Sequence, residues 1–370
     1  MMKITAGLGS IDDYPQYVKA GADEVFTGYV PYSWNSRYGN VYPLNRREVL
    51  YYNVSVGTLE DVAILYDMYM ELKVPVTFTF NALYYTEEQY ILICRYIKDI
   101  NNIGFKNFII ADPGLIMYIY ENDTRLYNRI NIHLSGECME YNTKSMELLK
   151  KYNIKRYIFH RKNTFAQMKA CIDYVKQYNE AAEFEAFFMN EKCHYNGSYC
   201  NSLHCDELSH LCMVPYETGD YDSSCNANNT DIQRIADMSV KKEETDILLK
   251  EIDIQSEEHT KYESDREVSE SEYIPGMSGC GLCAAKILDE IGITNLKVVG
   301  RGAYTDCMIK DIKTANRTLS ILEMLKKQKN ELNIQCKNED IYDNSEFRDI
   351  IVAKMFNGRC SKNCYYISNR

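Results

Sequence analysis

Cysteines are the residues of this chain whose type and spacing best suit chemistry. One group lies in FEAFFMNEKCHYNGSYCNSLHCDELSHLCMVPY, directly after a predicted strand, and a second lies in GMSGCGLCAAKILDEIG with the spacing CxxC. The cysteines are Cys193, Cys200, Cys205 and Cys212 in the first group, and Cys280 and Cys283 in the second. Four thiolates from separated segments suit either a tetrahedral zinc ion or an iron–sulfur cluster. The sequence therefore predicts a metal site.

Spacing leaves both metals open. Zinc usually takes compact cysteine pairs, and His194, His204 and His210 lie in the same loop as the first group. Iron–sulfur clusters accept wider spacing, so the residues alone favour a cluster, with zinc as the alternative and uncoordinated thiols third.

Composition indicates a reducing compartment. The chain has 14 cysteines in 370 residues, no apolar signal segment after Met1 and no long apolar run. We therefore expect a cytoplasmic protein without a membrane span, in which thiols serve as metal ligands more readily than as disulfides.

Negative charge is concentrated in one segment. Residues 217–275 contain 17 acidic and 6 basic residues, a balance of −11 that equals the formal charge of the whole chain. The segment is polar and poor in aromatic residues, so we predict an acidic, flexible insertion, with a partner-binding arm as the alternative. The rest of the chain has no formal net charge, so it lacks the net positive charge that is expected of a strong nucleic-acid binder.

Eight short β-rich runs alternate with helical patterns along the rest of the chain. They cover residues 3–6, 24–27, 76–80, 107–110, 129–133, 156–160, 184–188 and 296–299. This alternation predicts an α/β fold, a TIM-like (β/α)8 barrel, with a doubly wound sheet as the competitor. Loops after barrel strands form active sites, so the cysteine-rich loop after the seventh strand is expected on the catalytic face.

The predicted organisation has four parts. Residues 1–216 contain seven barrel strands and the cysteine-rich loop, and residues 217–275 form the insertion. Residues 276–327 form the last barrel unit, and residues 328–370 form a C-terminal tail. Cys360 and Cys364 in this tail are interpreted as free thiols, a CxxxC metal site being less favoured.

The chain contains a series of motifs over most of residues 3–316, in the order GADEVFTG, IIADPG, IHLSGECMEYN, FEAFFMNEKCHYNGSYC, CMVPY and LKVVGR. This series resembles peptidase family U32, the collagenase-like proteases, in which the motifs occur in the same order. The resemblance implies a [4Fe–4S] cluster, and its ligand pattern falls on Cys193, Cys200, Cys212 and Cys283. Cys205 has no counterpart in the pattern. We call these four residues the predicted cluster ligands.

The chain also departs from the family pattern. Where the family commonly has Cys-x-x-Pro-Cys-Arg, Tyr216 and Glu217 replace the second thiol and the arginine. Arg161-Lys162-Asn163 stands where the family usually has Arg-Glu-Leu, and KVVGR stands where it has Lys-Ile-Glu-Gly-Arg, so Lys162 and Val299 replace a carboxylate at both places. The chain therefore resembles a divergent member of the family.

The resemblance points to redox chemistry. The chain has no HExxH or GxSxG motif, whereas relatives with assigned roles resemble oxygen-independent hydroxylases of ubiquinone precursors, transfer RNA uridines or ribosomal RNA cytidines. Some of these relatives have prephenate implicated as cofactor or oxygen source. We therefore expect an iron–sulfur-dependent enzyme of the hydroxylase type. The alternatives are a peptidase or peptide-modifying enzyme, and a cluster-containing partner or scaffold protein.

Charged residues at strand ends are the candidates for catalysis. His133, Arg161 and Arg301 lie at or just beyond predicted strand ends, where they could hold a carboxylate, and His160 is a weaker candidate. Strand-end packing is the alternative role for each. The substrate class, whether small molecule, peptide or RNA, stays open, and a heterodimer with a second family member is an expectation from the resemblance.

Overall fold

The computed structural model describes residues 1–39, 42–46, 54–138, 141–193, 273–331, 344–356 and 360–366. Within these ranges the chain forms nine strands: β1 (Lys3–Gly7), β2 (Glu24–Tyr29), β3 (Ser55–Val56), β4 (Val76–Phe80), β5 (Asn107–Ile110), β6 (Asn131–Leu134), β7 (Arg156–Ile158), β8 (Glu183–Met189) and β9 (Asn295–Val298). All pairings between named strands are parallel.

Eight of these strands close into a barrel. The order is β1-β9-β8-β7-β6-β5-β4-β2, and β1 also pairs with β2, which completes the ring. The predicted TIM-like (β/α)8 barrel is confirmed. β3 was not predicted, because two residues beside the end of β2 are too few to show a periodic pattern.

Helices cover the outside of the barrel. They are α1 (Tyr14–Ala20), α2 (Tyr32–Tyr38), α3 (Leu59–Leu72), α4 (Glu87–Ile103), α5 (Pro113–Asn122), α6 (Thr124–Tyr127), α7 (Thr143–Leu149), α8 (Phe165–Lys176), α9 (Ala285–Glu290), α10 (Thr305–Glu331) and α11 (Ser345–Phe356). Local sequence explains several boundaries. Thr86 and Gln89 form a capping box at the start of α4, as Thr164 and Gln167 do at α8. None of the helices in the described ranges has the length and apolar character needed to cross a bilayer.

Charged side chains fill one layer of the barrel interior. Arg156 on β7 donates two hydrogen bonds to Glu24 on β2, at 2.6 and 2.9 Å. β2 and β7 are not neighbours, so both side chains must point inward and meet across the barrel. Arg156 also binds Glu183 and Glu185 on β8, and Lys297 on β9 binds Glu185 at 2.8 Å. This charged interior differs from the branched apolar layers that usually fill such barrels.

The last described segment, residues 360–366, packs against the barrel. Tyr366 is buried, its hydroxyl donates to the carbonyl of Phe187 on β8 at 2.7 Å, and its ring lies 5.1 Å from that of Phe165. Of the predicted acidic insertion, residues 217–272 lie outside the described residues.

Candidate functional site

A small cavity lies at the carboxyl ends of the barrel strands, where a (β/α)8 barrel places its active site. Its volume is about 70 Å³, and its lining comes from β2, β4, β5, β7, β8 and β9 and from loops that follow barrel strands, including the loop after β6. The charged lining residues are Arg46, Arg161, Lys297 and Arg301, with Glu137 and Glu191. Four cations against two carboxylates favour an anionic ligand. We call this site the arginine cavity.

Arg161 is held rigidly in this cavity. It follows β7, and its Nη1 donates to Oε1 of Glu137 at 3.1 Å. Its guanidinium carbon lies 3.7 Å from the centroid of the Phe187 ring, a cation–π contact that fixes the plane of the group. Arg161 Nε is buried without a hydrogen-bond partner among the described residues. The side chain thus keeps a donor that a ligand could use.

Glu137 joins Arg161 to a second arginine. Its Oε2 lies 3.6 Å from Nη2 of Arg46, and both side chains are less than one-tenth exposed. The backbone N–H of Arg46 donates to Oδ1 of Asn81, which follows β4. Sequence reasoning gave no role to Arg46 or Glu137. Glu137 lies inside IHLSGECMEYN, one of the motifs that carry the family resemblance. Its place in this motif is the sequence feature that could have identified it as a site residue.

Arg301 covers the opposite part of the opening. It follows β9, between Gly300 and Gly302, and its Nη1 donates to Thr79 Oγ1 on β4 at 3.3 Å. A Cβ atom at Gly28 on β2 would lie 2.4 Å from Arg301 Nη1 and 2.4 Å from Ser55 Oγ, so it would collide with both. The absence of a side chain at Gly28 therefore lets the guanidinium lie across the barrel mouth.

Lys297 connects the arginine cavity to the charged layer below it. Its Nζ lies 2.8 Å from Glu185 and 3.7 Å from the centroid of the Phe26 ring. Burial alone would raise the pKa of Glu185, but the charges of Lys297 and Arg156 outweigh it and hold that pKa below its ordinary value. Glu185 is therefore ionised, and it anchors the lysine beneath the ligand space.

A family model described as peptidase family U32 matches residues 9–357. The chain belongs to peptidase family U32. No curated protein matches it. Solved structures similar to it include the U32 peptidase Mk0906, with 11% identity, 51% of this chain and 69% of that chain covered and a TM-score of 0.37. A structure of 2,3-dimethylmalate lyase is 8% identical, with 95% of this chain and 89% of that chain covered and a TM-score of 0.37. A structure of phosphoribosyl anthranilate isomerase is 12% identical, with 86% of this chain and 100% of that chain covered and a TM-score of 0.37. Likeness at this level assigns no activity.

The predicted histidines of this U32 family member do not line the arginine cavity, although both interact electrostatically with residues that do. His133 is on β6 and is 2% exposed. Its pKa is lowered well below the ordinary value, first by burial and then by the charges of Arg156 and Lys297. His160 is also buried, which lowers its pKa to about 4, and its Nδ1 accepts the N–H of Lys162. Both imidazoles are therefore neutral near pH 7.

The predicted cluster ligands of this U32 family member fall in different places. Cys193 lies four residues beyond β8 and interacts electrostatically with Arg161. Cys283 lies in the 3₁₀ helix Leu282–Ala284, on the wall of a second cavity of about 540 Å³. Cys200 and Cys212, like Cys205, lie outside the described residues. The two residues before Cys193 line both cavities, Glu191 the arginine cavity and Lys192 the cavity that contains Cys283.

A thiol set fits an iron–sulfur cluster chemically, but the described part of it is incomplete. Among the described residues, no group of three or more His, Cys, Asp or Glu side chains is placed so that it could hold a metal ion. Cys193 and Cys283 can supply two thiolates, and the position of Cys193 after β8 is on the catalytic side of the barrel. The other two predicted cluster ligands, Cys200 and Cys212, lie outside the described residues.

Proposed function

We propose that this U32 family member is a redox enzyme of the oxygen-independent hydroxylase type, which binds a small carboxylate-bearing molecule in the arginine cavity. The observation that carries the proposal is the arrangement of Arg46, Arg161 and Arg301 around one buried opening at the carboxyl ends of the strands. The family resemblance adds the redox class, and prephenate is the first carboxylate to test.

The cavity residues suit recognition of a carboxylate for a physical reason. A guanidinium presents a planar fork of donors that matches the two oxygens of a carboxylate. Glu137 and Phe187 hold the Arg161 fork in one orientation before a ligand arrives, which lowers the entropy cost of binding. Burial strengthens the charge interaction, because few waters screen it.

The predicted cluster ligands would hold a [4Fe–4S] cluster beside this cavity, and when bound such a cluster supplies one-electron transfer. The chain's own residues would position the substrate. Arg161 lies near Cys193 and lines the arginine cavity, so its charge acts on both sites. The ion pair between Lys297 and Glu185 fixes the lysine at the bottom of the arginine cavity. His133 is neutral, so it does not compete with the arginines for the carboxylate of the substrate.

Peptidase activity is the alternative, and the described cavity residues do not favour it. Among the lining residues with a hydroxyl group, Ser135 lies nearest in sequence to a histidine. Its Oγ, however, accepts a hydrogen bond from the backbone N–H of Glu137. His133 and His160 are buried, and their lowered pKa values make them weak bases.

Thermal stabilisation by prephenate tests the proposal. Wild-type protein should gain stability as ligand is added, by about 2.7 kcal/mol at 100 times Kd. Arg161→Ala should lose this gain while keeping the iron content of the wild type, because Arg161 is not a thiolate ligand. Arg125→Ala, on the exposed face of α6, is the matched control and should respond as the wild type does.

Two results would contradict the proposal. One is an absence of stabilisation by prephenate or any other small carboxylate at millimolar concentration. The other is equal stabilisation of the wild type and Arg161→Ala, which would place the ligand elsewhere. Peptide cleavage by metal-free protein would support the peptidase alternative instead.

A further inference from the structure

The turn that follows β8 has an unusual backbone. Asn190 and Glu191, the two residues directly after the strand, have φ angles of 69° and 51°. Among the described residues they are the only two neighbouring residues other than glycine with a positive φ. Left-handed backbone brings the Cβ atom close to the carbonyl oxygen, so such residues adopt it only where the surrounding structure holds them there. We call residues 190–193 the β8 turn.

The β8 turn leads to residues of both cavities. Glu191 lines the arginine cavity, and Lys192 lines the second cavity, whose wall contains Cys283. Cys193, a predicted cluster ligand, follows and interacts electrostatically with Arg161. Because each residue has only two soft backbone dihedrals, the conformation of the first two residues of the turn determines where the following side chains lie.

Asp311 on α10 holds the β8 turn from the side of a helix. Its side chain is fully buried. Its Oδ2 accepts a hydrogen bond from Asn190 Nδ2 at 2.6 Å and another from the hydroxyl of Tyr273 at 2.7 Å. The same Asn190 nitrogen also donates to the carbonyl of Val299, which follows β9, at 3.3 Å. The first residue of the turn is thus tied to a helix and to the end of a neighbouring strand.

The segment 273–279 supports the β8 turn through its main chain. The N–H groups of Asn190 and Lys192 donate to the carbonyls of Gly279 and Ser278, both at 2.8 Å. Tyr273 belongs to the same segment, and its hydroxyl binds the carboxyl group on α10. That carboxyl group therefore contacts both the turn and the segment that supports it.

Orientation explains the polar side chain of Asp311 better than packing does. A carboxyl group is costly to bury, whereas an apolar side chain of similar size would fill the same space without that cost. What the carboxyl group adds is an acceptor, which fixes the amide of Asn190 and with it the left-handed backbone. Glycine would adopt this φ without strain, but it would have no side chain for Asp311 to hold.

We propose that Asp311 is a positioning residue, which holds the β8 turn in the conformation that presents Glu191 to the arginine cavity and Cys193 to the cluster. The proposal rests on the proposed function, because it assigns to Asp311 an effect on that site. Asp311 lines neither cavity, so it acts through Asn190.

Three variants on α10 test the proposal. Asp311→Leu keeps a similar volume and removes the acceptor, whereas Asp311→Asn keeps an oxygen that can accept from Asn190. Thr318→Val is the matched control, because Thr318 is also buried on α10 but donates only within its own helix, to the carbonyl of Thr314. Full-length proteins are purified anaerobically, and iron content, the electron paramagnetic resonance spectrum of the dithionite-reduced cluster and calorimetric affinity for prephenate are measured.

Asp311→Leu should bind iron but give an altered resonance spectrum, because the surroundings of a cluster set its electronic properties. Its affinity for prephenate should fall about tenfold, since Glu191 no longer has a fixed place in the cavity lining. Asp311→Asn and Thr318→Val should match the wild type. A wild-type spectrum and affinity in Asp311→Leu, or equal changes in Thr318→Val, would overturn the proposal.

A variant of the β8 turn covers the case in which Asp311→Leu fails to fold. Asn190→Gly accepts the left-handed φ without strain, so the turn can form, but it removes the amide that Asp311 holds. This variant should show the same altered spectrum and weakened affinity while remaining folded. Wild-type values in Asn190→Gly would also overturn the proposal.

Hydrogen exchange distinguishes failure of this inference from failure of the proposed function. The amides of Asn190 and Lys192 should exchange on the order of tenfold faster in Asp311→Leu than in the wild type, with or without iron. If wild-type protein binds neither iron nor prephenate, the proposed function fails, whereas faster exchange would still support the hold of Asp311 on the turn. Unchanged exchange would refute that hold whatever the cluster result.

Discussion

Replacing Arg156 by Met should destabilise the barrel strongly. Arg156 is buried and binds Glu24 through two hydrogen bonds, and it also binds Glu185, which has no exposed surface. Methionine fills a similar volume but leaves Glu24 buried without its guanidinium. Removal of one partner from a buried ion pair costs about 3–5 kcal/mol. Lys297 still compensates Glu185, whereas Glu24 keeps only the half-exposed Lys3 at 3.7 Å, so most of this cost falls on Glu24.

The assay is urea denaturation of wild type and variant at pH 8 and at pH 4. The charges of Lys297 and Arg156 hold the pKa of Glu185 below its ordinary value, so ionised Glu185 stabilises the fold at pH 8, and this contribution is lost as pH falls toward that lowered pKa. The variant lacks the share that comes from Arg156, so its loss of stability should be smaller at pH 4 than at pH 8. Arg125→Met, on the surface of α6, is the control and should stay within about 0.5 kcal/mol of the wild type.

Two outcomes would refute this reasoning. A loss below about 1 kcal/mol at pH 8 would mean that the charged layer is hydrated or easily rearranged. An equal loss at both pH values would mean that the cost comes from packing and not from the uncompensated carboxylate.

Two further predictions concern Asp311 and Gly28. Burial raises the pKa of Asp311 to about 7, above the unfolded value, so this group stabilises the fold fully below pH 4 and loses that contribution as pH rises through 7. Asp311→Asn should abolish this part of the pH dependence of unfolding, on the order of 2 kcal/mol between pH 5 and 8; an unchanged profile would contradict it. Gly28→Ala should displace Arg301 and weaken carboxylate binding about tenfold, measured by calorimetry. Gly57→Ala, where an added Cβ meets nothing within 4 Å, is its control, and equal affinities in the two variants would refute the role of Gly28.

Local patterns explain why the fold could be predicted. The barrel strands are short runs rich in apolar or β-branched residues, and several helices have side-chain caps, such as Thr86 and Gln89 at α4. The order of these elements implies a parallel barrel, because βαβ units cross over with one hand. Arg161 and Arg301 could be recognised for the same reason, since their position after a strand places them at the barrel mouth.

The charged groups inside the barrel could not be paired from sequence. Arg156 and Glu24 are 132 residues apart, and no sequence motif identifies either residue as the partner of the other. Only closure of the barrel brings β2 opposite β7. The position of Arg46 could not be predicted from sequence either. Its backbone N–H donates to Oδ1 of Asn81, 35 residues later in the chain, and this contact exists only in the folded protein.

The cysteines show most clearly what tertiary structure decides. The sequence determined that thiols are abundant, that several follow β8, and that Cys280 and Cys283 have metal-ligand spacing. It grouped them by proximity along the chain and interpreted Cys360 and Cys364 as thiols of a separate tail. The structure groups them by a β-bridge between Cys280 and Cys364, because hydrogen bonding between backbone segments acts at any distance in sequence. Spacing alone carries no information about such a contact, and packing of the last segment against β8 supplies it.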